Sequence, residues 1–233
     1  MIDFLRKNVF NLVAWGCGLF VLLTLIAMLV YQGGNYQDPA APGYNFTHNF
    51  FSDLGRSVAH SGKPNWLSAS LFFVALSTTG FGLVVFFLAF QLFFTDTWYL
   101  RLFSLAGSLA GVLAGICFIG VAFTPANLSL GLHGKFVLRA FQFFPLAVFL
   151  YLPALFLKRN YPRRYAWIFV FFWLLLVGYY WLLNSGPDFG TNQGMVIQAV
   201  GQKVIVYASI VSIGLQALGA QKFQASLLGV KHE

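Results

Sequence analysis

Charge is what this chain has least of. Only 9% of its 233 residues are Asp, Glu, Lys or Arg, against about a quarter in a soluble domain. A water-facing surface for a chain of this length is not built from so few. The longest polar stretch, residues 32–64, is too short to form a soluble domain of its own. Catalytic and nucleotide-binding signatures are also missing: there is no Walker loop, dinucleotide fingerprint, Gly-x-Ser-x-Gly elbow, Cys-x-x-Cys or His-x-x-x-His. The two cysteines, Cys17 and Cys117, sit inside apolar runs and read as small buried hydrophobes. The net charge of +8 does not point to nucleic acid, because the basic residues lie in short loops between apolar runs instead of on one face of a soluble domain.

What the chain does have is 59% hydrophobic residues and a mean hydropathy of +0.75. Six apolar runs stand out, at residues 9–31, 66–94, 100–123, 136–157, 165–183 and 195–218. About 20 helical residues cover a hydrocarbon core of about 30 Å. In lipid a spanning segment must satisfy its own backbone, and none of the runs alternates like a barrel strand. The fold class is therefore all-α: a polytopic membrane bundle of six transmembrane helices in one domain, residues 1–233. The first run is too long for a signal peptide, and Tyr31-Gln-Gly-Gly-Asn35 is no cleavage site, so it reads as an uncleaved helix.

Orientation follows from the basic residues. Arg6, Lys7, Arg101, Lys158, Arg159, Arg163, Arg164, Lys222 and Lys231 fall on one side of a six-span topology, and Arg56, Lys63 and Lys135 on the other. This bias predicts both termini in the cytoplasm, in a multi-pass protein of the cell membrane, expected to be a prokaryotic inner membrane. Trp66, Trp98 and Trp181 lie near predicted span ends, where indoles settle. Gly107, Gly111 and Gly115 share one face of the third span. Such a face lets backbones approach closely; it suits either a helix central to the bundle or a homo-oligomer or partner contact. The 28 phenylalanines read as core and lipid-facing volume.

Polar residues collect on the predicted outer side. The first outer loop holds His48, Ser52, Asp53, Arg56 and His60; the next outer loop adds His133 and Lys135, and the last adds Asp188 and Asn192. His232 belongs to the C-terminal tail. Two cations go deeper. Arg139 lies about one turn inside the fourth span, and Lys203 about nine residues inside the sixth, roughly 13 Å by helical rise. A cation near mid-bilayer costs about 2.5–3.5 kcal/mol on insertion scales, so a partner or a purpose is expected. Gln198 and Gln202 share a face near Lys203, and Gln142 lies a turn beyond Arg139. One reading is an outer pocket with Lys203, Arg139 and Gln202 as its floor and the loop from His48 to His60 and His133 as its lid, suited to a lipid phosphate, with Arg56, Gln142 and Gln198 as further ligand-binding candidates. Another is that Asp53 or Asp188 is simply an internal counter-ion. His48, Ser52, Asp53, His60 and His133 are the candidate catalytic groups. His48, His60 and His133 are the candidate metal ligands: with Asp53 they would supply enough donors for zinc with an open position, though in no known ligand spacing.

The stretch His48-Asn-Phe-Phe-Ser-Asp-Leu-Gly55, then Pro64-Asn65 entering the second span, and Gly120-Val-Ala-Phe-Thr-Pro125 followed by His133, together resemble a bacterial and archaeal six-span membrane family, domain of unknown function nine-nine-eight. That family is similar to the eukaryotic Frag/DRAM/Sfk proteins, some linked to lipid or GPI-anchor remodelling. The resemblance implies the six-span layout and no agreed activity. Asn49-x-x-Ser52 is also similar to an element of the ceramidase and progestin-receptor-like membrane hydrolases, which bind zinc through a late His-x-x-x-His. This chain has Gln198-x-x-x-Gln202 there, and six spans instead of seven.

Three functions compete: binding or remodelling of a lipid headgroup, a non-catalytic membrane subunit or scaffold, and a small transporter. No inverted repeat or matched pair of broken helices supports the last. A retinal-type Schiff base on Lys203 would need a seventh span and an acid inside the bundle.

Overall fold

Hydrocarbon thickness governs the elements. The computed structural model describes residues 2–227, with side chains from residue 8 onward. It contains six long helices: α1 (Ile2–Leu29), α2 (Trp66–Phe90), α3 (Trp98–Phe123), α4 (Leu130–Leu157), α5 (Arg163–Ser185) and α6 (Asn192–Leu227). All six are long and apolar enough to cross a membrane, as expected of a six-helix membrane bundle. Short 3₁₀ turns at Phe51–Gly55 and Gln91–Phe93 complete the regular structure among the described residues. Each helix packs on the next, and α6 returns to α1, so the bundle closes as a ring. Six alternating helices put the start of α1 and the end of α6 at one end of the ring, with the loop of Lys158 and Arg159. Lys231 and His232, and the side chains of Arg6 and Lys7, lie outside the described residues.

Several helix ends differ from the hydropathy reading, and two of them matter most here. α4 starts at Leu130 instead of near residue 136, because the Ser129 carbonyl accepts the His133 N–H at 2.9 Å and the polar turn continues as helix. His133 and Lys135 are therefore helical residues, not loop residues. α6 runs on to Leu227, so Lys222 extends a helix that apolar content alone ends sooner. Pro145 and Pro153 lie inside α4, which continues through both.

The glycine face of α3 is used up within the ring. A Cβ on Gly107 would sit 2.6 Å from the Tyr151 ring of α4, and one on Gly115 would sit 2.8 Å from the Gly80 carbonyl of α2. One on Gly111 would run into the Phe87 ring of α2. All three glycines are buried, so this face wedges α3 between its neighbours and is not presented to a second copy. Ser108 reinforces the wedge. Its hydroxyl donates to the Phe87 carbonyl at 2.7 Å and so accepts from the Tyr151 hydroxyl at 2.6 Å. Aromatic rings fill the end of the ring nearest the N-terminus. Phe86 stacks on Phe90 at 4.8 Å, Phe90 meets Tyr151 at 5.1 Å, and Tyr161 meets Phe223 at 5.1 Å. Lys158 pairs with Asp96 at that same end.

Candidate functional site

The segment between α1 and α2, residues 30–65, folds as a plug over the other end. Gly33, Gly34, Gly43 and Gly62 have positive φ, which glycine adopts without steric cost. Gly34 shows why at least one of them is needed: a Cβ there would strike the backbone of Ser61. The plug is tied to every neighbouring element. Ser57 and Asn127 bond reciprocally, N–H to Oδ1 at 3.0 Å and Nδ2 to Oγ at 2.8 Å, which holds the α3–α4 loop. His48 meets Asn192 of α6 at 2.9 Å. Asn65, at the entry to α2, donates to the Arg56 carbonyl at 2.9 Å.

Asn49, Asp53 and Lys203 form its buried centre. Lys203 is 0% exposed. Its ammonium donates to the carbonyls of Asn49 and Ala199 and lies 5.1 Å and 5.4 Å from the Phe46 and Tyr44 ring centroids. The Asn49 amide donates to the Gly34 carbonyl at 2.8 Å and to the Asp53 carboxylate at 3.1 Å. Asp53 also accepts the Phe50 N–H at 2.9 Å and the His60 Nε2–H at 3.0 Å, and supplies the charge opposing Lys203. The two charges are thus joined through Asn49, so the lysine has its partner inside the protein. Gln202, the residue before Lys203 in α6, accepts the Phe51 N–H at 2.6 Å. Tyr31 lies outside the spans and accepts the His60 N–H. Burial, with Asp53 adding to it, raises its phenol to about 12.

The remaining sequence candidates are dispersed. Arg139 is exposed and donates to Gln142 at 2.9 Å, while Gln142 donates to the Tyr180 hydroxyl at 3.2 Å. The expected common floor of Arg139 and Lys203 does not form. Gln198 instead donates to the carbonyls of Leu182 and Pro187, where α5 ends. Arg56 bonds the nearby Val58 carbonyl. His48, His60 and His133 occupy three separate environments, and among the described residues no three His, Cys, Asp or Glu side chains converge as metal ligands. His133 is buried with Nδ1 2.7 Å from the Thr124 carbonyl. A carbonyl only accepts, so Nδ1 carries the proton and Nε2 of the neutral ring keeps its lone pair.

Beneath the plug lies a cavity of about 440 Å³ among the helices, within the range of about 300–1,000 Å³ usual for small-molecule sites. Phe51, Ser52 and Gln202 form its plug end. Its lining runs from Phe20 to Val9 along α1 and from Gln202 to Ile213 along α6, about eleven residues on each, or roughly 16 Å at helical rise. Most of the wall is apolar; Thr79 is one exception, and its buried hydroxyl has no hydrogen-bond partner. A second cavity of about 460 Å³, between α2, α3, α4 and the plug, is lined by Ser57, Trp66 and His133 among others. Ser52, Phe72 and Val121 belong to both walls. Sequence reading missed the first cavity, whose lining is made of the same apolar residues as the rest of the core. Compared with known proteins, the chain matches no family model, no curated protein and no solved structure.

Proposed function

We propose that this integral membrane protein acts in a cell membrane by binding a lipid, with a hydrocarbon chain in the cavity beneath the plug and the polar end towards Ser52. The supporting observation is the cavity itself: long, narrow and almost wholly apolar, inside a ring of membrane-crossing helices. In this reading the hydrocarbon chain, not a phosphate, is what the protein recognises, because Lys203 and Gln202 are already bonded to the plug. Val206→Trp would fill the cavity from α6. Lipid extracted from the protein purified in mild detergent should drop out in this variant, with the unfolding temperature held. An unchanged lipid complement in a well-folded Val206→Trp protein would contradict the proposal.

The shared wall favours a second reading, remodelling of the bound lipid. Ser52 lines both cavities and His133 lines the second. A serine hydroxyl and an imidazole in one cavity wall are two groups that an acyl-transfer centre uses. In this reading Ser52→Ala and His133→Ala keep bound lipid and lose its conversion. Equal turnover in both variants and the parent would remove it.

A further inference from the structure

The lining of the central cavity includes residues that face outward. Leu12 of α1 and Phe81 of α2 both belong to its wall, yet are 48% and 63% exposed. The cavity therefore reaches the outer surface of the ring along the α1–α2 seam. Two glycines stand at that seam, Gly16 and Gly82, both in the lining, and a Cβ added to either would meet no atom within 4 Å. Packing does not require them, in contrast to Gly80 two residues earlier, where a Cβ would crowd Ile119 and the Gly115 carbonyl of α3. Glycine inside a helix costs about 1 kcal/mol relative to alanine; Gly18, Gly131, Gly134 and Gly178 touch nothing either, but of these helical glycines Gly16 and Gly82 alone line the cavity. Any side chain at 16 or 82 would project into the opening.

Depth identifies what stands outside. Gly16 lies about eight residues beyond Asn8, where the α1 span begins, and Gly82 about eleven before Phe93, where the α2 span ends. That is roughly 12 Å and 16 Å from the same end of the ring. At this depth in a bilayer the neighbour is hydrocarbon, not water or headgroup.

We propose that the seam at Gly16 and Gly82 is a lateral portal through which the hydrocarbon chain of a membrane lipid enters the cavity directly from the bilayer. The portal rests on the lipid-binding reading above and adds the route: the plug stays closed during loading, and the chain passes sideways between α1 and α2. The plug's ties to α6 and to the α3–α4 loop fit this division of labour, since they hold it shut without obstructing the seam.

The test follows uptake of a phospholipid with a fluorescent acyl chain from vesicles into the protein reconstituted in separate vesicles. Gly16→Leu and Gly82→Leu, singly and together, should slow uptake at least tenfold while final occupancy stays within twofold of the parent. A second form guards against misfolding. Gly82→Cys, in a background carrying Cys17→Ala and Cys117→Ala, is folded first and then modified with a benzyl thiosulfonate, so that uptake slows on modification and recovers with a thiol reductant. Uptake at the parent rate in both the leucine variants and the benzylated protein would overturn the portal and leave the cavity reading standing. No probe in the parent protein at any time would overturn the cavity reading, and the portal with it.

Discussion

Replacing Lys203 by methionine separates the two roles open to a cation in the membrane. The side chain is fully buried, and its ammonium is bonded to the Asn49 carbonyl that carries the plug. Methionine keeps most of the volume and removes the charge. The Asp53 carboxylate would then be buried without its opposing charge, and the Asn49 carbonyl would lose its donor. Breaking a buried pair in direct contact costs about 3–5 kcal/mol, and these two charges are joined only through Asn49. Asp53 keeps three donors, from Asn49, Phe50 and His60, so the low end, about 3 kcal/mol, is expected. Unfolding in mixed micelles with rising dodecyl sulfate measures it, and proteolysis within residues 36–47 reports whether the plug lifts. Adding Asp53→Asn should recover at least about 1 kcal/mol relative to the sum of the single changes, because the two groups share one network. A Lys203→Met protein within about 0.5 kcal/mol of the parent, closed to protease but stripped of anionic lipid, would refute this and make Lys203 a headgroup ligand.

Other outcomes follow from the same geometry. Gly111→Ala should destabilise by about 1–3 kcal/mol through overpacking against Phe87, read as a lowered unfolding temperature with unchanged lipid content. Gly34→Ala, which sets a side chain at positive φ against Ser61, should raise protease cleavage of the plug while leaving helix content by circular dichroism intact. Tyr31 has a folded value of about 12 against an ordinary 10.0. The stability it contributes is full below pH 10 and is lost as pH rises towards 12. Protease sensitivity of the plug should rise in that window, and Tyr31→Phe should remove this part of the dependence. Arg139→Ala should stay within about 0.5 kcal/mol of the parent and keep its bound lipid, because Arg139 contacts Gln142 at the surface and not the plug.

The helices were legible because lipid imposes one requirement, about 20 apolar residues in a row, and composition reports it directly. The ends of α4 and α6 were not, since a polar turn from Leu130 and the tail to Leu227 continue a helix on backbone hydrogen bonds that hydropathy does not register. Within the site, sequence reading brought out Lys203 as unusual and left Asp53 and Asp188 as equal candidates for its counter-ion. It met Asn49 only in the Asn49-x-x-Ser52 element and the stretch around it, and not as the residue whose amide and carbonyl join Asp53 to Lys203, because nothing in a loop's composition tells which asparagine will be buried. The pairing of Arg139 with Lys203 failed for a related reason. Depth along a helix can be counted, but the face depends on packing: Lys203 points inward and Arg139 outward. The glycines show the same limit. Gly107, Gly111 and Gly115 repeat at four and drew attention, whereas Gly16 and Gly82, on different helices, acquire meaning only when the ring sets them at one seam.

The most direct test of a lipid chain inside the ring is photo-crosslinking with a phospholipid carrying a diazirine near its chain end, followed by mapping of the labelled peptides. Adducts at Phe144 and Ile213, which line the cavity and are buried from the bilayer, are the expected result. Adducts confined to outward residues such as Trp15, Phe171 and Leu215 would contradict the account, leaving a membrane bundle whose cavity takes no lipid.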